Sequence, residues 1–134
     1  MVVVDDFTRY TWVILLRSKS DAFKHIEALC TRLQNKKSLK IDRIRNDHGK
    51  EFNNSYMESF CTRSGISQEF SAPITLQQNV VVERTNRVIQ EMARAMLHNK
   101  DVARNLWGEA VNTMYHTVNR VYFRLDTKKT PYEL

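Results

Sequence analysis

The stretch at residues 45–52, RNDHGKEF, decides how the fold is read, because it places an aspartate where a strand ends. The preceding residues 40–44, KIDRI, alternate polar and apolar side chains, as a half-buried strand does. Asp47 is followed at once by His48 and Gly49. Strand ends that face a loop are where α/β folds usually present their chemistry, so Asp47 is a candidate acid.

The residues before this stretch predict a hairpin followed by a helix. Two β-rich runs, residues 2–4 and 11–16, are separated by a polar segment, which favours an antiparallel hairpin. From Ser20 onward, apolar residues recur at helical spacing, with Ser20 as the predicted N-cap and an end at 34–37. This apolar stripe consists of Phe23, Ile26, Leu29 and Leu33.

The residues after the stretch predict further helices and one more strand. Ser55 and Glu58 have the spacing of a capping box, which predicts a helix over 55–64 that stops at Gly65. The other predicted elements are a strand at 66–70 and helices at 80–98 and 102–120. This order indicates a mixed α/β fold with parallel pairing in its second half. Since no repeat or linker interrupts the chain, residues 1–134 are predicted to form one domain.

The composition points to a basic globular protein. Lysine and arginine number 21 against 15 acids, which gives a formal charge of +6 and a pI near 9.5. This excess favours a polyanionic partner, with nucleic acid before an anionic membrane. No apolar run approaches the roughly 20 residues that a membrane span needs, and the N-terminus lacks signal-peptide features. We therefore expect a nuclear or cytoplasmic protein that is neither secreted nor membrane-bound.

Cysteines and aromatic residues are predicted to be structural. Cys30 and Cys61 have no spacing to each other or to a histidine that resembles a zinc site, so both are predicted to be buried, reduced thiols. Trp12, Trp107 and Tyr115 fall at apolar positions and are predicted to lie in the core.

The helix predicted at 80–98 has two different faces. Its apolar face is predicted to consist of Val81, Val88, Met92 and Ala95. The opposite face carries Glu83, Arg87, Gln90 and Arg94. One interpretation is a solvated face on which Glu83 and Arg87 form an ordinary i, i+4 pair. The other is a working surface, and helix geometry does not choose between them.

Several long blocks of the chain resemble the integrase core of copia-type LTR retrotransposons. They are VVVDDFTRYTWVILLRSKS at 2–20, RNDHGKEF at 45–52 and SAPITLQQNVVVERTNR at 71–87, in the same order as in that family. Residues 92–97, 106–112 and the closing TPYEL also resemble it. The resemblance therefore covers essentially the whole chain.

This resemblance implies an RNase H-like sheet flanked by helices and a site of three acids, two Asp and one Glu. In the family, 35 residues separate the second Asp from the Glu. Residues 48–82, thirty-five in all, separate Asp47 from Glu83, so these two match the motif. The implied chemistry is DNA strand transfer with two divalent cations, Mg²⁺ or Mn²⁺, held by Asp47 and Glu83.

The first acid of the motif has no match in residues 1–134. In the family it lies on the first, central strand, before the segment that Val2 begins, and Asp5 and Asp6 instead match the turn after the second strand. We expect Asp5 and Asp6 to make turn hydrogen bonds. A sheet without its central strand is expected to be marginally stable, and the chain is expected to be inactive alone. The rival interpretation is a non-catalytic DNA-binding or protein-interaction module.

Six residues are the predicted DNA contacts. Arginine and lysine suit phosphate, and amide side chains in a loop suit sugar or base edges. The alternative, ordinary solubilising charge, stays open. The predicted contacts are Lys50, Gln78, Asn79, Arg84, Arg87 and Arg94. Residues 102–118 either pack on the sheet or make the contact of a homodimer or higher oligomer, and the sequence does not separate the two.

Overall fold

A computed structural model describes residues 1–46, 49, 51–70, 80–99 and 103–134. Its strands are β1 (Val2–Val4), β2 (Thr11–Val13), β3 (Arg43–Asn46) and β4 (Ser67–Phe70). Its helices are α1 (Ala22–Lys37), α2 (Ser55–Ser64), α3 (Val80–Asn99) and α4 (Trp107–Val121). Short 3₁₀ turns, Lys19–Asp21 and Arg104–Leu106, precede α1 and α4.

The chain divides into two compact units. Residues 1–15 and 80–134 form one, called here the discontinuous unit, and residues 16–79 form the other, the continuous unit. The described strands pair two by two, β1 with β2 and β3 with β4. A single domain over 1–134 stays a prediction.

The hairpin of the discontinuous unit is confirmed. Strands β1 and β2 pair antiparallel, with Val3 opposite Trp12. The second strand ends at Val13, earlier than the β-rich run to residue 16 suggested. The connecting turn is closed by the backbone amide of Asp5, which donates to the carbonyl of Tyr10 at 2.9 Å.

The core of this unit forms where α3 meets α4. Ile89 and Ala93 of α3 are buried together with Ala110 and Val111 of α4. The predicted apolar face of α3 is therefore wrong in part, since Ala95 is exposed. Small side chains allow the two helices to approach closely, so the partner helix selects which apolar positions are buried. The predictions for Trp107 and Tyr115 are confirmed, because both pack against this cluster.

Helix α4 begins at Trp107, and not at residue 102 as predicted. Residues 100–102 lie outside the described residues. The amide of Leu106 donates to the carbonyl of Ala103 at 3.0 Å, so the chain makes a tight 3₁₀ turn before the α-helix starts.

A buried asparagine joins α4 to the hairpin. Asn119 is 0% exposed, and its Nδ2 donates to the carbonyl of Thr11 at 2.8 Å. The amide of Thr11 donates back to Asn119 Oδ1, also at 2.8 Å. An asparagine amide carries the same donor and acceptor as a peptide group, so Asn119 satisfies both backbone groups of Thr11. We call this pair of bonds the Asn119 clasp.

The continuous unit contains the predicted parallel pair. Strands β3 and β4 run parallel, with Arg45 opposite Glu69. The Glu69 carboxylate also bridges two side chains of β3, at 2.7 Å from Arg43 and 3.3 Å from Arg45. Parallel pairing requires a crossover connection, which α2 provides between the two strands.

Both helices of the continuous unit lie where predicted, but their N-caps differ. Ser18 caps the 3₁₀ turn before α1 and forms a capping box with Asp21, so Ser20 is not the N-cap. Asn54, and not Ser55, caps α2 by accepting from the amide of Met57. The stop at Gly65 is confirmed, because its φ of 65° is the left-handed conformation that glycine adopts easily.

The prediction of two buried, free thiols is confirmed. Burial raises the pKa of Cys30 to about 11, and nearby Cys61 adds to the rise. Burial also raises the pKa of the Cys61 thiol. A thiol that stays protonated is a poor nucleophile, so burial lowers the reactivity of both thiols in the folded chain.

These raised pKa values predict a loss of stability at alkaline pH. The unfolded thiol ionises above about pH 8.5, whereas folded Cys30 keeps its proton to higher pH. The contribution of Cys30 to the free energy of unfolding should therefore be fully present below about pH 8.5. It should fall as the pH rises toward 11. Urea unfolding of the chain and of Cys30→Ala at about pH 7.5 and 10 checks this. An equally steep fall in the variant would contradict it, since tyrosine and lysine titration is common to both.

No helix in the described part of the chain is long and apolar enough to span a membrane.

Candidate functional site

Half of the predicted site residues lie on α3 and half lie outside the described residues. Asp47, Lys50, Gln78 and Asn79 belong to the second group, so their roles stay predictions. Glu83, Arg84, Arg87 and Arg94 are on α3.

Glu83 lies in the first turn of α3 and is exposed. The free amides at a helix N-terminus create a partial positive charge, which stabilises a carboxylate there. Within the described residues Glu83 forms no ion pair, so the ordinary pair with Arg87 is not present. Its carboxylate oxygens are therefore available to a cation or a polar ligand.

The arginines on this face fall into two groups. Arg84 and Arg87 are exposed, and neither makes a side-chain hydrogen bond or ion pair in the part of the chain that is described. Arg94 is held in place, because it donates to Gln90 Oε1 at 3.0 Å and lies 6.0 Å from the ring centre of Trp107. Arg84 and Arg87 are thus the more available phosphate ligands.

Asp5 and Asp6 make the turn contacts predicted for them. Both the amide and the hydroxyl of Thr8 donate to Asp5 Oδ2, at 2.7 Å and 2.6 Å. The Asp6 carboxylate pairs with the guanidinium of Arg9. Arg9 has a φ of 63°, a left-handed conformation that these local bonds help to hold. The turn interpretation is confirmed, and both carboxylates are already engaged.

The carboxylate of Glu83 is chemically suited to bind a hard divalent cation. Glu83 offers two carboxylate oxygens that form no ion pair with any residue the structure describes, and carboxylate oxygen is the ligand type that Mg²⁺ and Mn²⁺ prefer. Among the described residues no three Asp, Glu, His or Cys side chains come together as a metal-binding group. A complete site therefore needs carboxylates beyond these residues, and Asp47 is the predicted one.

Sequence reasoning missed two features of the discontinuous unit. One is the Asn119 clasp, since an asparagine on an amphipathic helix gives no sign of a backbone partner 108 residues away. The other is the exposure of the aromatic pair Tyr122 and Phe123 at the end of α4. Its one sequence signal is the run of aromatic and basic residues at 120–124, RVYFR.

Sequence comparison identifies relatives along the whole chain. The model of the family described as "Integrase core domain" matches residues 1–75. The Retrovirus-related Pol polyprotein from transposon TNT 1-94 of Nicotiana tabacum is 35% identical over 117 residues, 87% of this chain. The Retrovirus-related Pol polyprotein from transposon RE2 of Arabidopsis thaliana is 29% identical over 133 residues, 99% of this chain. The chain spans about 9% of the length of these relatives.

Solved structures share the fold. The chain is similar to a chain of a simian T-cell lymphotropic virus intasome in complex with PP2A regulatory subunit B56 gamma, with a TM-score of 0.76 and 19% identity. That match covers 99% of this chain and 46% of the other. The HTLV-2 integrase catalytic core domain in complex with magnesium matches with a TM-score of 0.70 and 23% identity, covering 98% and 80%. The predicted RNase H-like α/β fold is thereby confirmed, and the chain belongs to the integrase core domain family.

Proposed function

We propose that the chain is a segment of a copia-type retrotransposon integrase core whose activity is metal-dependent DNA strand transfer. Asp47 and Glu83 would hold Mg²⁺ or Mn²⁺, and DNA is the partner. The observation that carries the proposal is the exposed Glu83 in the first turn of α3, beside Arg84 and Arg87. A bound divalent pair would neutralise charge on the attacking and leaving oxygens of the phosphodiester.

The chain's own residues would position the DNA backbone. Arg84 and Arg87 offer guanidinium groups that suit phosphate oxygens, close in sequence to the carboxylate of Glu83. Arg94 is the third predicted contact, and its bond to Gln90 keeps it in one orientation. Lys50, Gln78 and Asn79 complete the proposed DNA surface.

One observation favours a second candidate, a non-catalytic DNA-binding or protein-interaction module. Asp5 and Asp6 already make turn contacts, which disfavours either of them as a third metal ligand. We therefore propose that residues 1–134 bind DNA but do not join it unless another segment contributes that acid.

Oligomerisation and localisation belong to the same proposal. The HTLV-2 core is described in a trimeric form and the simian virus neighbour as part of an intasome. A homodimer or higher oligomer is proposed for this chain by analogy. A nuclear or cytoplasmic location would bring it to DNA.

The DNA contact on α3 predicts a specific change in salt dependence. Replacing Arg87 and Arg94 together by Ala should reduce the slope of log K against log salt for duplex DNA by about two units, one for each phosphate that is no longer neutralised. Fluorescence anisotropy with a labelled duplex at about 50–200 mM salt measures it. The matched control, Arg32→Ala with Lys36→Ala, removes two exposed charges from α1. Equal slopes for the two double variants would mean that the arginines of α3 are ordinary solubilising charges and not phosphate contacts.

A further inference from the structure

A pocket of about 420 Å³ lies within the discontinuous unit, beside the end of α4. The hairpin contributes Arg9 and Thr11, and α3 contributes Thr85. The other wall is the segment after α4, including Tyr122, Phe123 and Arg124. Thr85 follows Arg84 directly, so the pocket adjoins the turn of α3 that carries Glu83.

The aromatic side chains around this pocket are unusually exposed. Phe123 is 70% exposed and Tyr122 is 52% exposed, although both line the pocket. Phe7, which contacts the neighbouring Arg124, is 73% exposed. Burying such rings in a core would stabilise the fold, so their exposure on one surface indicates a ligand that covers them.

Positive charge surrounds these rings. The guanidinium of Arg124 lies 5.8 Å from the ring centre of Phe7 and donates to its carbonyl, which fixes one wall. The amide of Arg124 donates to the carbonyl of Lys129 at 2.8 Å, closing a tight turn. That turn presents Lys128 and Lys129 to solvent. Of the nearby acids, Asp6 is paired with Arg9, and the exposed Asp126 also lines the pocket, so the net positive charge comes from Arg124, Lys128 and Lys129.

We infer that this pocket binds an unpaired nucleotide of single-stranded DNA, with its base stacked on Tyr122 or Phe123 and its phosphates near Lys128 and Lys129. Exposed rings beside cations form the combination that single-strand binding uses, since every base offers a flat face and every linkage an anion. Paired bases in a duplex are already stacked, so only an unpaired base reaches the rings. The inference rests on the proposed function in taking DNA as the partner.

Binding of a fluorescein-labelled hexathymidylate to residues 1–134 tests this inference. Tyr122→Ala with Phe123→Ala should weaken binding by at least about tenfold, the effect of removing one stacking partner. The matched control is Leu125→Ala, which removes an exposed apolar side chain from the same pocket. It should change binding by less than about twofold, and Tyr122→Ala with Phe123→Trp, which keeps one ring for stacking, should bind better than the double alanine variant. Lys128→Gln with Lys129→Gln should reduce the salt slope by about 1.4, or 0.7 for each single-strand phosphate.

The outcomes separate this inference from the proposed function. If Leu125→Ala costs as much as the aromatic double variant, the surface is an apolar docking site for protein and the inference is overturned. It is also overturned if the aromatic double variant binds normally while duplex binding still depends on the arginines of α3. Absence of binding to both duplex and hexathymidylate would overturn the proposed function together with it. All variants change exposed residues, and unchanged thermal melts verify that they fold.

Discussion

Replacing Glu83 by Gln is expected to lower metal-dependent DNA strand transfer by at least about a hundredfold, because a ligand to the cations is worth several kcal/mol. Glutamine keeps the length and polarity of the side chain but removes its negative charge. The assay uses a chimera in which residues 1–134 follow the segment that precedes the match in the Nicotiana tabacum relative, since the chain alone is proposed to be inactive. Product formation from labelled DNA with Mn²⁺ is the readout.

The controls for this result come from the chain itself. Asp47→Asn should cause a similar loss, whereas Asp6→Asn should leave the rate within about twofold, because Asp6 only pairs with Arg9 at an exposed turn. Duplex binding by Glu83→Gln should be retained. Full activity of that variant would refute the metal role of Glu83. Activity of residues 1–134 alone that Asp6→Asn abolishes would show that the turn has replaced the missing acid.

Replacing Asn119 by Ala is expected to destabilise the discontinuous unit by about 2–6 kcal/mol. The change leaves the amide and the carbonyl of Thr11 buried without a partner, at roughly 1–3 kcal/mol for each group. Thr11 is 1% exposed, so water does not replace the broken bonds. Urea unfolding measures the loss of stability, and hydrogen exchange at the amide of Thr11 locates it.

Two further variants test whether the Asn119 clasp is the cause. Asn112→Ala changes the same residue type on the same helix, at a half-buried position with no side-chain hydrogen bond in the described residues, and should change stability by less than about 0.5 kcal/mol. Asn119→Asp keeps the shape but faces the carbonyl of Thr11 with an acceptor, so it should be at least as harmful as alanine. If Asn112→Ala and Asn119→Ala cost the same, the clasp contributes nothing beyond helix packing.

Local chemistry explains which parts of the fold were predictable. Alternating side chains and polar turns predicted the hairpin and the β3–β4 pair, because both signals act between neighbouring residues. The N-cap of α2 was misplaced by one residue, since Asn54 and Ser55 are both good caps and only the bond to Met57 distinguishes them. The buried face of α3 depends on α4, so its periodicity alone could not exclude Ala95.

The candidate site was predictable to a similar depth. Family resemblance and spacing singled out Glu83, and its position in a helical first turn was expected from the sequence. The sequence did not predict that Arg94 is held while Arg87 has no side-chain partner among the described residues, because Arg94 is held partly by Trp107 of another helix. Contacts between elements distant in sequence decide which cations remain available, and periodicity within one helix does not report them.

The division of the discontinuous unit between the two ends of the chain also determines the order in which structure is acquired during synthesis. The hairpin is translated before α4, and it closes against α4 only after Asn119 has left the ribosome. A lone two-stranded hairpin is at best marginally stable, so β1 and β2 are expected to stay incompletely formed until α4 is available. The elements α1, α2, β3 and β4 need no such delay, because they contact one another within residues 16–79. Residues 16–79 can therefore fold before α4 has been made, whereas the hairpin depends on α4 for its buried contacts.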